Sequence, residues 1–242
     1  MYKLGIKVID IGSDTAGLFV SRENRFLGIV DIGTANDEEM VLVHIHDPGR
    51  LEEILYPGNK VLLRKASGND DRKTSWDLLA GFVDSDWILV NSSFHRQISQ
   101  WALERGILPF THGYDSIRPE TMLGKSRIDF LLEGDSGRMW VEVKGCTLLA
   151  GETALFPDAP TARGTRHLRE LIDAVETGDR AALIILVFAP GAREFSPNAQ
   201  MDIKFTKAFW DAVEIGVDVY PLLFYLRSGE LFYEAILPLK GQ

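Results

Sequence analysis

Two hydrophobic rhythms divide this chain, and the change from one to the other limits the folds open to it. Over the first 90 residues short apolar runs alternate with turn residues, at 18–20, 25–30, 40–45, 60–64 and 87–90. Short strands so spaced predict a small antiparallel barrel or sandwich. Helical periodicity first appears over 94–105, where Phe94, Ile98, Trp101 and Ala102 fall three and four residues apart. Beyond Tyr114 strands are predicted at 126–133 and 138–144 and a helix at 161–177. Strands at 181–188 and 217–225 then flank a helix at 202–215. This alternation predicts an α/β domain with a mixed sheet. The expected division is a barrel over 1–92, a helical connector over 93–115 and the α/β domain over 116–242.

Composition narrows the partners. No apolar run reaches the roughly 18 residues that cross a bilayer, and the first residues lack the pattern of a signal peptide, so a soluble, cytoplasmic protein without a membrane partner is expected. The single cysteine, Cys146, excludes an intramolecular disulfide and a Cys-rich zinc site. A net charge of 26 minus 35, or −9, has the wrong sign for a protein that coats nucleic acid by bulk electrostatics. Nucleic-acid contact must then come from a local basic surface, for which the barrel offers Arg25, Arg50, Arg64, Lys65, Arg72 and Lys73.

The most informative segment is 126–144, SRIDFLLEGDSGRMWVEVK. A hairpin loop over 134–137 places Glu133 opposite Arg138 and Asp129 opposite Glu142. One face then carries Ile128, Phe130 and Leu132 against Met139, Val141 and Val143, all apolar. The other carries Arg127, Asp129, Leu131 and Glu133 against Arg138, Trp140, Glu142 and Lys144. Two opposed carboxylates repel unless something neutralises them, and a divalent cation does so. Asp129 and Glu142 offer the hard oxygen ligands that Mg2+ or Mn2+ takes, with positions left for water and a phosphate oxygen. Lys144 reaches the same site, where an ammonium orients water and offsets charge on a phosphorane-like transition state. The competing reading is a cross-strand ion-pair ladder in which Arg127 or Lys144 neutralises the acids. On the predicted helix, Arg163 and His167 share a polar face and are candidates for holding substrate phosphate, as is Arg127, against the more ordinary reading of a solvated helix face with an Arg169 and Asp173 ion pair. His44 and His46 share a strand face without a third ligand near them, so a packed or surface role is expected of each.

These segments resemble successive motifs of the sugar fermentation stimulation protein family: RFLGIV at Arg25, VHIHDPGRL at Val43, YPGNKVLL at Tyr56, DRKTSW at Asp71, KSRIDFLL at Lys125, VEVKGCTLL at Val141 and FPDAPTARGTRHLREL at Phe156. The resemblance implies an N-terminal OB-like barrel associated with DNA binding and a C-terminal PD-(D/E)XK nuclease-like domain. In that pattern Asp129, Glu142 and Lys144 match the acid, acid and lysine of the core, and Glu120 matches an acid from an upstream helix. Departures are Asp47-Pro48-Gly49 where the family has Asn-Thr-Gly, His46 where it has Pro, and Cys146, which stands outside the pattern. The leading expectation is a DNA-binding protein with a metal-dependent nuclease site, its DNA held weakly or non-specifically, with a homodimer as a further candidate assembly. Its rivals are a non-catalytic regulator of sugar, notably maltose, metabolism and a small-molecule phosphodiesterase.

Overall fold

The computed structural model describes residues 5–34, 36–66 and 73–241. Arg72, one of the expected barrel cations, lies outside the described residues. The chain divides into two compact units, Met1–Phe94 with Phe188–Pro190 and Phe224–Glu234, and His95–Val187 with Gly191–Leu223 and Ala235–Gln242.

The first unit holds β1 (Ile6–Asp10), β2 (Thr15–Asn24), β3 (Leu27–Asp31), β4 (Met40–His44), β5 (Lys60–Lys65), β6 (Trp76–Val83) and β7 (Asp86–Leu89). Strands run antiparallel in the order β4-β3-β2-β5-β6, and β6 returns to β4 through Val43↔Trp76 and His44↔Asp77, closing a five-stranded barrel. Closure leaves no sheet edge to satisfy over that stretch. Alternate residues point inward, and Phe19, Val30, Val43, Val61, Leu63 and Leu78 are all 1% exposed or less. Each such side chain contributes about 1.5–3 kcal/mol by leaving water. Gly81 lets the chain after β4 lie against β6, since a Cβ there would stand 2.3 Å from Ile54 Cγ2. The run WDLLAGFV of β6 went unread as a strand because its buried residues are consecutive and do not alternate.

The second unit begins with α1 (His95–Glu104) and continues through β8 (Ser116–Leu123), β9 (Ser126–Gly134) and β10 (Gly137–Cys146) to β11 (Leu148–Ala150) and β12 (Thr153–Phe156). Then come α2 (Ala162–Glu176), β13 (Arg180–Val187), β14 (Glu194–Pro197), α3 (Ile203–Ile215) and β15 (Asp218–Arg227). Its main sheet has the order β15-β13-β10-β9-β8, parallel from β15 to β10 and antiparallel from β10 to β8. The expected fold class, an antiparallel OB-like barrel and a mixed-sheet α/β domain, is the one observed. Strand β8 was not foreseen: it is a sheet edge, largely exposed and interrupted by Pro119, so it carries no apolar alternation.

Both long helices have side-chain caps. Thr161 accepts from Gly164 N–H at 3.1 Å, and Asp202 accepts from the Lys204 and Phe205 N–H groups. Gly216 ends α3 with φ 105°, a left-handed conformation open to glycine. α2 packs on β9, β10 and β13, and α1 on β10 and β13. Among the described residues no helix is long and apolar enough to cross a membrane.

Candidate functional site

The hairpin register is the one expected. Pairs run from Arg138↔Glu133 to Val141↔Phe130, and Gly137↔Gly134 also pair, which shortens the loop to Asp135 and Ser136. One more step would bring Asp129 opposite Glu142, but the ladder stops. There Asp129 Oδ2 accepts the Val143 N–H at 2.7 Å, so the carboxylate takes the place of a strand partner. The expected apolar face is buried: Ile128, Phe130, Leu132, Met139 and Val141 are 1% exposed or less. The polar face is covered too, with Leu131, Trp140 and Glu142 buried.

That cover comes from α2. Its His167 is buried, and its Nδ1 bonds to Glu142 Oε1, the oxygen that also receives Lys144 Nζ. The other ring nitrogen, Nε2, accepts from Arg163 Nε at 3.2 Å. A guanidinium can only donate, so Nε2 is the acceptor and Nδ1 carries the proton given to Glu142. Glu142 Oε2 is left buried with no hydrogen-bond partner among the described residues. A carboxylate oxygen in that position is costly unless something positive meets it.

The two acids are held apart in protonation. Burial, and next the charge of Glu142, pushes the Asp129 carboxyl up to about 6, against the pull of Lys144, the Val143 N–H and His167. Burial also pushes Glu142 up, but Lys144 and His167 together outweigh it and hold that carboxyl below its ordinary value. Asp129 therefore binds a proton more tightly folded than unfolded. Without metal, the contribution of this carboxyl to stability should fall as pH rises from about 4 through about 6, by about 2–3 kcal/mol, and then level off. Asp129→Asn keeps an oxygen for Val143 and removes the charge. Chemical denaturation at pH 4 and pH 8 should find that variant close to the parent at the lower pH and more stable at the higher. A variant no more stable than the parent at pH 8 would remove the buried acid from the account.

Glu120 requires a correction: it sits on the edge strand β8, not on a helix. The pairs Pro119↔Phe130 and Thr121↔Ile128 flank it and set it opposite Asp129. Its backbone is left-handed at φ 54°, a strained conformation for a glutamate. The half-exposed carboxylate pairs with Arg127 at 3.4 Å and Arg96 at 4.0 Å. Among the described residues no three His, Cys, Asp or Glu side chains are grouped to hold a metal. The fit rests on Asp129 and Glu142 Oε2, one carboxyl pushed up and one buried oxygen without a partner, a donor set suited to a cation that keeps waters and takes one or two carboxylates.

His167, expected to hold phosphate, has both ring nitrogens engaged inside the protein and instead orients Glu142. Arg163 is exposed beyond its bond to His167, and Arg127 is exposed against Glu120. His95, at the start of α1, was not singled out by sequence. It packs on Gly145 of β10, and burial, with the charge of Lys144 adding to it, pushes its imidazole down to about 4. A Cβ at Gly145 would lie 2.4 Å from His95 Cε1. Gly145→Ala should accordingly cost about 1–3 kcal/mol, read as a lowered Tm; an unchanged Tm would show that the ring yields freely.

The barrel cations are dispersed. Arg64 is half-buried, its guanidinium 3.8 Å from Asp77 and over the Phe94 ring, while Lys65 lies over Trp76. Arg25, Arg50 and Lys73 are exposed. His46 bonds to Asp77 at 3.1 Å and meets the His44 ring edge-on, the packed role expected of the pair.

Comparisons with known proteins agree over most of the chain. A family model described as the sugar fermentation stimulation protein RE domain matches residues 93–230, and one described as the SfsA N-terminal OB domain matches residues 20–90. The sugar fermentation stimulation protein homolog of Methanococcoides burtonii is 48% identical over 234 residues, 96% of this chain and 94% of the relative. That of Methanothermobacter thermautotrophicus is 46% identical over 205 residues, 85% and 83% of the two chains. The solved structure of Pyrococcus furiosus SfsA in complex with Ca2+ matches with a TM-score of 0.89 at 29% identity, over 97% of this chain and 99% of that one.

Proposed function

The chain belongs to the sugar fermentation stimulation protein family, and from that premise we propose that it is a cytoplasmic DNA-binding protein with a divalent-metal-dependent phosphodiesterase site. The observation that carries this reading is Glu142 Oε2, buried and unpartnered beside an aspartate whose carboxyl is pushed up to about 6. A purely structural ion-pair ladder has no use for either feature. The relative solved with Ca2+ adds support, because Ca2+ and Mg2+ both take oxygen ligands.

Asp129 and Glu142 would hold Mg2+ or Mn2+, and Glu120, in register with Asp129, would join them after leaving Arg127 and Arg96. A cation bound there would neutralise the paired acids and polarise a phosphoryl oxygen. Lys144 supplies a positive charge that orients the attacking water and offsets charge building on the phosphoryl oxygens. Arg163 keeps its Nε on His167 and turns its terminal N–H groups to a phosphate, and Arg127 does the same from β9.

The test combines calorimetric titration with Mn2+ and a cleavage screen over single-stranded, double-stranded and branched DNA, RNA and cyclic nucleotides. Binding in the parent, its loss in Asp129→Asn, and turnover of one substrate that chelator abolishes are the expected results. Neither binding nor turnover would overturn the reading. One observation favours the alternative of a non-catalytic DNA-binding regulator of sugar (maltose) metabolism: Lys144 and His167 already neutralise Glu142 Oε1 without a metal. On that reading DNA binding persists in chelator and no substrate is cleaved.

A further inference from the structure

A recess of about 410 Å3 opens on the outside of the barrel, lined among others by Asn24, Phe26, Leu42, His44, Lys73 and Thr74. It stands out on a chain of net charge −9, because among the described residues none that lines it is acidic. Its volume falls within the range of about 300–1,000 Å3 that small-ligand sites occupy. Phe26 is 47% exposed and Leu42 42%, an aromatic and an aliphatic side chain left facing water.

The aromatic floor is braced. Phe26 and His44 have ring planes 23° apart with centroids 6.3 Å apart, His46 meets His44 edge-on at 4.3 Å, and Asp77 bonds His46. The Phe26 N–H is tied to Asn24 Oδ1 at 2.9 Å. Arg22 ties together the two loops that carry Arg25 and Arg50. Its guanidinium donates to the carbonyls of Arg25 at 2.8 Å, Asp47 at 3.0 Å, and Gly49 and Arg50 at 2.7 Å each, which pins the β2–β3 turn to the loop over residues 47–50.

We propose that this recess receives an unpaired base of a single DNA strand, stacked on Phe26, while Arg25, Arg50 and Lys73 meet the neighbouring phosphates. An exposed ring can stack only on a base whose faces are open, and in a duplex neighbouring pairs cover them. Charge complementarity points the same way: among the described residues the recess is lined by the cation Lys73 and by no acid, which suits a polyanion, and the exposed Phe26 ring suits its bases. The proposal rests on the DNA-binding half of the reading above and is independent of the metal site.

The experiment is fluorescence anisotropy of the full chain with a labelled thymidine oligomer of about 12 nucleotides, in chelator, across a salt series. Phe26→Leu keeps an apolar side chain without a π face and should weaken binding between about fivefold and about a hundredfold, while Phe26→Tyr should bind like the parent. Lys73→Ala and Arg25→Ala should each flatten the salt dependence, by about 0.7 in the log–log slope for each phosphate left without its cation. A blunt duplex of equal length should bind more weakly and be indifferent to Phe26→Leu. With Tm unchanged, parent-like single-strand binding by Phe26→Leu would overturn the proposal. So would an equal loss on the duplex, or Phe26-dependent binding confined to an RNA oligomer. Every arm is run in chelator, so a failure of the metal site would leave this result standing, whereas a parent that binds neither strand nor duplex would overturn this proposal together with the DNA-binding half of the reading above.

Discussion

Replacing Lys144 with alanine should lower metal-dependent turnover by about 10²–10³ and leave Mn2+ affinity within a few-fold of the parent, because the ammonium acts where negative charge develops and cannot itself ligate a cation. Lys144 Nζ now sits on Glu142 Oε1, so its removal leaves that oxygen to His167 and takes a positive charge from the site, and affinity should rise slightly if it moves at all. Glu142→Gln sets the contrast. It removes the charge that Lys144 and His167 both address and should lose metal binding and turnover together. Single-turnover cleavage alongside calorimetric titration separates the two variants. A Lys144→Ala protein that keeps parental turnover would leave the ion-pair ladder as the better account, with the lysine serving only to neutralise Glu142.

The second large effect concerns His167. Removing its ring leaves Glu142 Oε1 with Lys144 as the remaining partner shown for it, in a buried setting where a lost donor costs about 1–3 kcal/mol. Loss of such an orienting partner typically lowers metal affinity by about 10–100-fold. His167→Ala should therefore show both a lower Tm and weaker Mn2+ binding. The tautomer sharpens the test. The amide N–H of Asn reaches the position of Nδ1, whereas that of Gln reaches the position of Nε2, so His167→Asn should recover most of the affinity and His167→Gln little. Equal behaviour of the Ala and Asn variants would mean that His167 fills space without orienting the acid.

Much of the candidate site could be read along the chain. Strand side chains alternate with period two, so fixing one turn at Gly134 and Gly137 sorted Ile128, Phe130 and Leu132 from Asp129 and put Glu142 and Lys144 on one face. The helix over Ala162–Glu176 was legible for a similar reason, its apolar stripe of Leu168 and Leu171 recurring at helical spacing between Thr161 and Gly178. Strand β8 was not legible, because an exposed edge strand needs no apolar pattern, and the helix expected to carry Glu120 was implied by the family resemblance alone.

By itself, then, the sequence determined the sequence-local features: the two folding rhythms, the hairpin register and the face of the hairpin on which the acids fall. These depend on periodicities of three to four residues or fewer and on turn chemistry, which neighbouring residues dictate. Only the tertiary structure decided which of these charges would leave water. Alternation says that Glu142 and Val141 face opposite ways, but not that α2 would close over the Glu142 side and bring His167, 25 residues on, to its carboxylate. Desolvation is a property of everything packed around a group, so the raised Asp129 carboxyl and the stranded Glu142 oxygen arise from that closure. The same holds on the barrel, where one guanidinium, Arg22, bonds the backbone carbonyls of Arg25 and Arg50, which the chain keeps 25 residues apart.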